Sequence, residues 1–239
     1  MRSLYVEPEA QPEQIDWPAL ELHDVFRIFR SGDVETVALR GVDLELRRRE
    51  LVALLGPSGS GKSTLLALAA GLDQPSAGEV RAFGRSLARL GDEELARYRA
   101  REVAVVFQAD NLWPALTARE NVAVSLRLAG HPAADEAARD TLGAFGLEQR
   151  TAQRPAELSG GEQQRVAIAA AAARGASLVL ADEPTAELDE QNERVVIEAL
   201  DRLRHSYGCA VLVVTHAERV AVAADRVVEL RDGRVAPAA

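Results

Sequence analysis

Cysteine is almost absent from the sequence: Cys209 is the only one among 239 residues. A single thiol leaves no possibility of an internal disulfide or of a cysteine-based metal site. Cys209 opens the apolar run Cys209–Val214, and a small side chain in such a run is predicted to be buried rather than reactive.

Long apolar runs are also lacking. The longest, Val166–Ala173 and Cys209–Val214, are far shorter than the roughly 20 residues that a membrane-spanning helix needs. The first 18 residues contain one arginine and then an acidic, proline-bearing stretch, without the apolar segment that a secretion signal requires. We therefore expect a chain that does not cross the membrane and that resides in the cytoplasm.

Positive charge is in deficit. Lys and Arg number 28 against 37 Asp and Glu, which gives a net charge of −9. This balance argues against a chain that wraps a polyanion over a broad surface, so no nucleic-acid partner is expected. The hydrophobic content of 47% and the charged content of 27% are typical of a folded domain, and the length permits one large α/β domain.

The chain divides into a short tail and one domain. Residues 1–19 are rich in Glu, Gln and Pro, and we predict a mobile acidic tail there. The domain is predicted to cover residues 20–239, with a helical insert at roughly 86–158. Runs of strand length lie at Glu21–Phe29, Val37–Leu46, Leu51–Leu55, Glu79–Phe83, Val103–Phe107, Leu178–Ala181, Ala210–Thr215 and Arg226–Arg231.

The pattern of the second half predicts a parallel sheet covered on both faces. The apolar strand Leu178–Ala181 is followed by a helical pattern over Glu190–Tyr207 and then by a second apolar strand. Helix starts are predicted where a hydroxyl residue precedes a glutamate by three positions, as in Thr117 with Glu120 and Ser159 with Glu162. Asp232-Gly233 predicts a closing hairpin turn.

A glycine-rich loop follows the predicted strand Leu51–Leu55. It reads GPSGSGKST, precedes an apolar helical pattern, and matches the phosphate-binding P-loop. Glycine is needed because the backbone N–H groups must turn inward around phosphate oxygens. Lys62 is placed to reach the β- and γ-phosphates and Ser63 to ligate Mg²⁺. The predicted nucleotide-binding residues of the loop are Gly56, Pro57, Ser58, Gly59, Ser60, Gly61, Lys62, Ser63 and Thr64.

Two carboxylates, Asp182 and Glu183, end the buried strand of the second half. Ligands of open α/β sheets bind at the carboxyl ends of parallel strands, where these two residues are predicted to lie. Asp182 is suited to hold Mg²⁺, a hard cation that prefers oxygen ligands. Glu183 is then free to orient or deprotonate the water that attacks the γ-phosphate.

Five motifs together resemble one family. After the P-loop come VVFQ ending at Gln108, the segment Leu158–Gln164 that reads LSGGEQQ, the acidic pair with Ala186–Asp189, and VVTH ending at His216. In this order they resemble the ATP-binding subunits of ABC transporters, over nearly all of Leu20–Val235. The resemblance implies a P-loop NTPase fold of the α/β class, with a central, mostly parallel sheet, an N-terminal antiparallel β subdomain and a helical insert.

The resemblance also implies roles for individual residues. Gln108 would contact Mg²⁺ or the attacking water, and His216 would reach the γ-phosphate. Phe29 would stack on the adenine of ATP, although an edge-strand aromatic that packs into the core remains an alternative. The residues implied to bind the nucleotide of a second ATPase subunit, in a head-to-tail dimer, are Ser159, Gly160, Gly161, Glu162 and Asp189. The helix start at Ser159 is itself suited to bind an anion.

Residues 70–80, 95–122 and 158–169 resemble in particular the ATPases that work with FtsX-like permeases, the lipoprotein-releasing, macrolide-exporting and cell-division types. The implied protein is an ATP-hydrolysing subunit, peripheral on the inner face of the cell membrane, whose permease docks near Gln108–Asn121. Trp113 lies in that range, either as an interface anchor or packed within the insert. A homodimer and a heterodimer both remain open.

Two other functions fit parts of the sequence. A force-transmitting regulator of an extracytoplasmic enzyme would have the same ATPase sequence. A soluble ABC ATPase of DNA repair or translation is disfavoured, because the sequence has no long coiled coil before Leu158–Gln164 and no second cassette. The chain departs from the family pattern at Ala170, Ala217, Ala186-Glu187 and Arg49, where relatives often have Arg, Asp, Gly-Asn and Gly.

Overall fold

The computed structural model describes residues 17–32, 34–186 and 188–236. The predicted tail therefore lies outside the described residues up to residue 16. Its last three residues are part of the folded domain: Ala19 is fully buried, and its N–H donates to the Leu46 carbonyl at 2.8 Å. The domain thus includes residues before the predicted start at residue 20.

Within the described residues ten strands form two sheets. Their bounds are β1 (Leu20–Ser31), β2 (Val34–Leu46), β3 (Leu51–Leu55), β4 (Ala77–Ala82), β5 (Arg85–Ser86), β6 (Val103–Val106), β7 (Leu178–Asp182), β8 (Ala210–Val214), β9 (Arg226–Arg231) and β10 (Arg234–Val235). The first sheet is antiparallel, in the order β2-β1-β4-β5. The predicted antiparallel N-terminal subdomain is confirmed.

The second sheet has the order β10-β9-β3-β8-β7-β6. All its neighbouring strands are parallel except the short edge pair of β10 and β9, which encloses the predicted turn at Asp232-Gly233. The central, mostly parallel sheet is therefore confirmed. Its order has one consequence for the site: β3, β8, β7 and β6 are adjacent, so the loops that follow them open at one edge.

Both faces of the parallel sheet are buried, because successive residues of a strand point to opposite sides. Val179 of β7 and Val211 of β8 contact one cluster, which includes residues of the helices after β6 and after β7. Leu180 and Leu212 contact the other cluster, which lies under the antiparallel sheet. Each of these side chains is completely buried, and such burial contributes roughly 1.5–3 kcal/mol per residue.

The helices are α1 (Lys62–Ala69), α2 (Asp92–Arg101), α3 (Ala118–Leu128), α4 (Ala134–Ala144), α5 (Gly160–Ala173), α6 (Glu190–Tyr207) and α7 (Glu218–Ala223). The predicted helix at 190–207 is confirmed, and it ends at Gly208 in the left-handed conformation, where glycine is favoured. The predicted capping boxes at Thr117 and Ser159 are also formed. No helix of the described residues is long and apolar enough to span a bilayer.

The predicted helical insert at 86–158 is not continuous. Its middle contains β6, which pairs with β7 at the end of the parallel sheet. Helix α2, before β6, packs its fully buried Tyr98 against α1, with the phenol donating to the Ala69 carbonyl at 2.7 Å. The helical part distinct from the sheet therefore begins only after β6, with α3 and α4, and both of these contact α5.

Candidate nucleotide-binding site

A cleft of about 690 Å³ lies at the carboxyl edge of the parallel sheet. It is lined by the loop after β3, by the ends of β7 and β8, by Gln108 after β6, and by the facing part of β2. The lining residues are Thr36, Val37, Ala38, Gly56, Pro57, Ser58, Gly59, Gly61, Lys62, Ser63, Thr64, Gln108, Asp182, Glu183, Ala186 and His216.

Two glycines of the P-loop are needed by the space around them. A Cβ at Gly56 would lie 2.2 Å from the Leu230 carbonyl oxygen, and one at Gly61 would lie 2.5 Å from the Ala38 carbonyl oxygen. Gly61 also has φ 105°, a backbone conformation that other residues rarely adopt. The loop is thus fixed between β2 and β9, and its path depends on the absence of side chains.

Lys62 begins α1 and is the only lysine of the sequence. Its Nζ donates to two carbonyl oxygens of its own loop, Gly56 at 2.7 Å and Pro57 at 3.0 Å. The ammonium group is therefore already held over the loop. A phosphate in the cleft would find a cation in position without rearrangement of the backbone.

Ser63 and Asp182 face each other across the cleft, with the Ser63 hydroxyl donating to Asp182 Oδ2 at 3.1 Å. Burial raises the pKa of Asp182 above its ordinary value; the hydrogen bond from Ser63 opposes this rise, and the negative charge of Glu183 adds to it. The Ser63 hydroxyl and the Asp182 carboxylate together form a set of hard oxygen donors. The carboxylate is costly to ionise by itself, and a divalent cation beside it would stabilise its ionised form.

Glu183 follows Asp182 and turns the chain sharply. Its φ is 47°, in the left-handed region that non-glycine residues enter at a cost, and its N–H donates to the Val214 carbonyl at 2.8 Å. Its carboxylate is held by His216, with Oε1 at 2.9 Å from Nδ1 and Oε2 at 3.3 Å from the backbone N–H. The side chain of His216 is exposed, whereas that of Glu183 is largely buried.

Gln108 lies in an exposed turn just beyond β6. The strand was predicted to include Phe107 but ends one residue earlier, because the turn is held by side chains instead of a neighbouring strand. Asn111 accepts from Phe107 N–H at 2.8 Å, and Gln164 donates to the carbonyls of Phe107 at 3.0 Å and Gln108 at 2.6 Å. Asp110 completes the turn with φ 58°.

Phe29 lies near the end of β1, opposite Thr36 of β2, and Thr36 lines the cleft. Its ring is 42% exposed, so it is not the core aromatic of the alternative prediction. The Arg27 guanidinium lies over the ring, 4.4 Å from its centroid, and is itself held by Asp73 through Nε at 2.8 Å. Phe29 is not among the residues that line the cleft.

The start of α5 is a second polar site, outside the cleft. Ser159 caps the helix by accepting from Glu162 N–H, and the Glu162 carboxylate accepts from Ser159 N–H at 2.8 Å and from Arg150 Nε at 2.7 Å. Burial alone would raise the pKa of Glu162, but these hydrogen bonds and the charge of Arg150 lower it below its ordinary value. Ser159 and Gly160 are exposed. No residue of Ser159–Glu162 lines the cleft among those the structure describes.

Asp189 also lies outside the cleft, where it caps α6 by accepting from Asn192 N–H at 2.8 Å. The starts of α5 and α6 are in contact, because a Cβ on Gly161 would lie only 2.7 Å from Asn192 Oδ1. Glu187, in the loop between β7 and α6, is outside the described residues. The residues predicted to act on a partner's nucleotide thus form one cluster, separate from the residues predicted to act on the chain's own nucleotide.

A smaller cavity of about 180 Å³ lies beside the turn after β6, between α3 and α5. Ala170 lines it, at a position where an arginine was expected from the family pattern, and Arg174 reaches it from the next turn. Trp113 stands at its rim with 66% of its surface exposed. Of the two predicted alternatives for Trp113, packing within the insert is therefore wrong.

The structure brings together Lys62, Ser63, Gln108, Asp182, Glu183 and His216 as predicted, and it separates the cluster at α5 and α6 from them. Ser60 is buried and does not line the cleft; its carbonyl accepts from Gly233 N–H at 3.0 Å. Sequence reasoning missed Thr36, Val37 and Ala38 of β2. Their only signal was indirect: in the hairpin Thr36 pairs with Phe29 and Val37 with Ile28.

A family model described as ABC transporter matches residues 39–186. Among curated proteins, the chain is 44% identical over 91% of its length to the macrolide export ATP-binding/permease protein MacB of Brucella melitensis. It is also 44% identical over 90% of its length to the lipoprotein-releasing system ATP-binding protein LolD of Geobacter metallireducens. The match covers 34% of the MacB protein and 97% of the LolD protein, so the chain spans about a third of the macrolide exporters that it resembles.

Among solved structures, the chain is similar to the ATP-binding cassette MJ0796, described as a dimer in a post-hydrolysis state bound to ADP and phosphate. The TM-score is 0.82 at 37% sequence identity, and the match covers 90% of this chain and 96% of that one. A second structure of the same cassette, described as a bacterial ABC transporter cassette in dimeric form, matches equally well.

Proposed function

Because the chain belongs to the ABC transporter family and forms the family's ATP-hydrolysing cassette, we propose that it powers conformational change in a membrane complex with an FtsX-like permease. In this proposal two ATPase subunits bind two ATP molecules between them and hydrolyse them. The work is export, lipoprotein release or mechanical signalling across the membrane.

One observation above all supports the proposal. Four adjacent strands, β3, β8, β7 and β6, each end in a group suited to one part of phosphoryl transfer. These groups are the P-loop, His216, the pair Asp182 and Glu183, and Gln108. Chemistry of this kind depends mainly on positioning and on electrostatic stabilisation of the phosphates, which such convergence supplies.

Lys62 and the P-loop bind the phosphates in this mechanism. The backbone N–H groups at the start of α1 and the helix dipole favour the negative charge. Lys62, now hydrogen-bonded to the Gly56 and Pro57 carbonyls, would extend toward the β- and γ-phosphate oxygens. Phe29, with Arg27 against its ring, would offer a π-face to the adenine.

Magnesium fits the oxygen donors at the cleft, and Ser63, Asp182 and Gln108 are the residues that would hold it. The raised pKa of Asp182 supports this assignment, because a cation beside the carboxylate would relieve the cost of ionising it. When bound, Mg²⁺ neutralises charge on the phosphate oxygens. The ion usually keeps several waters, so few protein ligands suffice.

Glu183 orients the attacking water and accepts its proton. The contact with His216 fixes the direction of the carboxylate, and the left-handed turn at Glu183 aims the side chain into the cleft. His216 is exposed on the cleft side and is free to change partner, from Glu183 to the γ-phosphate, when ATP is bound. The dyad therefore couples the presence of the γ-phosphate to the position of the base.

Dimerisation is proposed from the cluster at α5 and α6. The helix start Ser159–Glu162, in which Ser159 and Gly160 are exposed, can bind an anion, yet it lies outside the chain's own cleft. A second subunit, arranged head to tail, would place its own P-loop phosphates there. Asp189, at the neighbouring helix start, would lie in the same interface.

The permease is proposed to dock beside the turn after β6, within Gln108–Asn121. The cavity between α3 and α5 and the exposed ring of Trp113 offer a concave surface with an aromatic at its rim, which is typical of interface anchors. Movement there would be transmitted to Gln108. In the proposed complex the chain lies on the cytoplasmic face of the membrane, held by the permease.

The unique lysine allows a direct test. An amine-reactive reagent modifies only Lys62 and the chain terminus, and peptide mass spectrometry separates the two. We expect ATP with Mg²⁺ to protect Lys62 and the purified chain to release phosphate from ATP. The conservative variant Lys62→Arg keeps the charge, loses the point-like ammonium, and should lose most of the hydrolysis. An unprotected lysine together with unchanged hydrolysis in the variant would refute the proposed nucleotide site.

A separate experiment tests the membrane partner. When the chain is purified from native membranes, a permease with a large extracytoplasmic domain should co-purify with it. Trp113→Ala should reduce the ratio of the ATPase rate with permease to the rate without it. An unchanged ratio, or a complex without any membrane protein, would contradict the proposed docking surface.

A further inference from the structure

Gln164 is a buried amide to which the mechanism above assigns no part. It lies in the second turn of α5, and only 5% of its surface is exposed. Its Nε2 donates to the Phe107 carbonyl at 3.0 Å and to the Gln108 carbonyl at 2.6 Å, and its Oε1 accepts from Asn111 Nδ2 at 3.2 Å. Both N–H donors of the amide are therefore used on two consecutive carbonyls of one turn.

This contact fixes a peptide plane. Consecutive carbonyls of an extended strand point in opposite directions, so one amide can bind two of them only where the strand has ended. Here β6 ends at Val106, and Gln164 holds both carbonyls on the side of α5. The peptide between Phe107 and Gln108 is thereby oriented, and with it the direction in which the Gln108 side chain leaves the backbone.

Burial makes the contact costly to lose. An amide removed from water without partners is unfavourable, and Gln164 avoids this cost because both its Nε2 and its Oε1 have partners at the turn. Asn111 supports the same turn, but the backbone groups that its side chain contacts there are the N–H and the carbonyl of Phe107, at 2.8 Å and 2.6 Å. Without Gln164, the Phe107 end of the turn would still be held, whereas the Gln108 carbonyl would lose the donor that Gln164 supplies.

We propose that Gln164 is a positioning residue for Gln108: it sets the approach of Gln108 to the metal and the attacking water, and it ties that approach to α5. The proposal rests on the function proposed above for Gln108. Because α5 begins at Ser159–Glu162, the same amide links the residue that acts on the chain's own nucleotide to the segment offered to the partner's nucleotide. A shift of α5 on dimer formation is then transmitted to Gln108 by two hydrogen bonds.

The variant Gln164→Met tests this link, because methionine has a similar volume, carries no charge and has no donor. In the nucleotide-free chain, amide hydrogen exchange over residues 107–111 should become faster, with little change in α5 after its second turn. In the assembled complex kcat should fall and the Mg²⁺ concentration for half-maximal rate should rise, each by about three- to tenfold, as expected for the loss of hydrogen bonds of this kind. KM for ATP should change little, because Lys62 and the P-loop are untouched.

Two comparisons separate positioning from general destabilisation. Tyr98→Phe removes a buried hydrogen bond to the Ala69 carbonyl, in the other buried cluster, and serves as the control: its Tm should fall, with the Mg²⁺ dependence unchanged. In the Gln108→Ala background, Gln164→Met should add no further change in Mg²⁺ dependence, because the residue through which it acts is already missing. Should Gln164→Met not fold, Gln164→Leu, which likewise has no donor and no charge, gives the same readouts.

The outcomes are distinct. If Gln108→Ala alone leaves the Mg²⁺ dependence unchanged, the proposed function of Gln108 is wrong. If Gln108→Ala changes it and Gln164→Met does not, or if both variants act additively, the positioning role of Gln164 is wrong. Unchanged hydrogen exchange over residues 107–111 would also overturn the proposal.

Discussion

The cleft and the start of α5 are both polar, but they differ in how far the chain itself satisfies them. At α5 the carboxylate of Glu162 is held by Ser159 and Arg150, and its pKa is lowered by these partners. In the cleft the pKa of Asp182 is raised by burial, and the neighbouring Glu183 adopts an unfavourable backbone conformation. The ionised carboxylate at the start of α5 stabilises the fold, whereas the ionised Asp182 and the backbone of Glu183 in the cleft destabilise it.

The difference indicates which region changes when ATP binds. The start of α5 is held by its own capping contacts, so in the proposed function it would bind an anion without rearrangement, and its contribution would depend on where α5 is held. In the proposed function, a cation in the cleft would make the ionised form of Asp182 favourable. Functional sites commonly keep such strain, because the charges and backbone conformations that function requires are not the most stable ones.

The largest effect is expected from Glu183→Gln in the cleft. Removing the proton acceptor while keeping the shape should reduce phosphate release by about 10²- to 10⁴-fold. ATP binding should persist, and an ATP-bound dimer should accumulate, which size-exclusion chromatography with light scattering would detect. Retention of the parental hydrolysis rate would contradict the role of Glu183.

The next effect is expected at the other region, from Gly161→Ala. The added Cβ would meet Asn192 Oδ1 at 2.7 Å and would push the starts of α5 and α6 apart. Overpacking of this kind costs about 1–3 kcal/mol of stability. ATP should still protect Lys62 in the monomer, whereas the ATP-dependent dimer should be lost. The comparison of the two regions fails if nucleotide binding by the monomer is lost as well.

A smaller effect is expected from Arg49→Gly. This variant relieves backbone strain outside both the cleft and the start of α5, so it shows what a change in stability alone does to activity. Arg49 has φ 60° in the turn before β3, at a position where the family pattern has glycine. Replacement should stabilise the fold by about 1 kcal/mol, so that Tm rises by roughly 2–4 °C, with no change in ATPase rate. A fall in Tm would show that the Arg49 side chain stabilises more than its backbone costs.

The smallest effect on stability is expected from Asp182→Asn. Because the pKa of Asp182 is raised in the folded chain, the ionised carboxylate destabilises the fold above that pKa, and the cost disappears as the pH falls and the group is protonated. Removal of the charge should therefore raise the Tm of the nucleotide-free chain by about 1–2 °C at pH 7 to 8. The gain should vanish below pH of about 4, near the ordinary pKa of aspartate. Hydrolysis should be lost in the same variant.

Much of the fold could be predicted from the sequence, because its signals are local. The apolar runs Leu178–Ala181 and Ala210–Thr215 differ from the observed strands by one residue at one end, and α6 agrees at both ends. The predicted insert at 86–158 is too long although the strand at 103–107 is itself predicted, because a local pattern does not show which sheet a strand joins. The place of β6 in the sheet is set by pairing with β7, which is distant in sequence.

The candidate site could be predicted where one motif contains all the groups that act together, as in the P-loop. It could not be predicted where contacts join distant segments. Neither the support of the Gln108 turn by Gln164 nor the cation over Phe29 follows from spacing. The roles of these residues in catalysis stay predictions, since they depend on nucleotide, metal and partner subunit.

The order of the parallel sheet has a consequence for how activity is acquired. The strands that precede the four loops lining the cleft are neighbours in space but far apart along the chain, from β3 near residue 51 to β8 near residue 214. Pairing of distant strands is slow, because the entropy of closing a long loop is lost before the contacts between the strands form. After dilution from denaturant, far-UV circular dichroism should therefore recover before protection of Lys62 by ATP does. The occupied nucleotide site then reports the completion of folding.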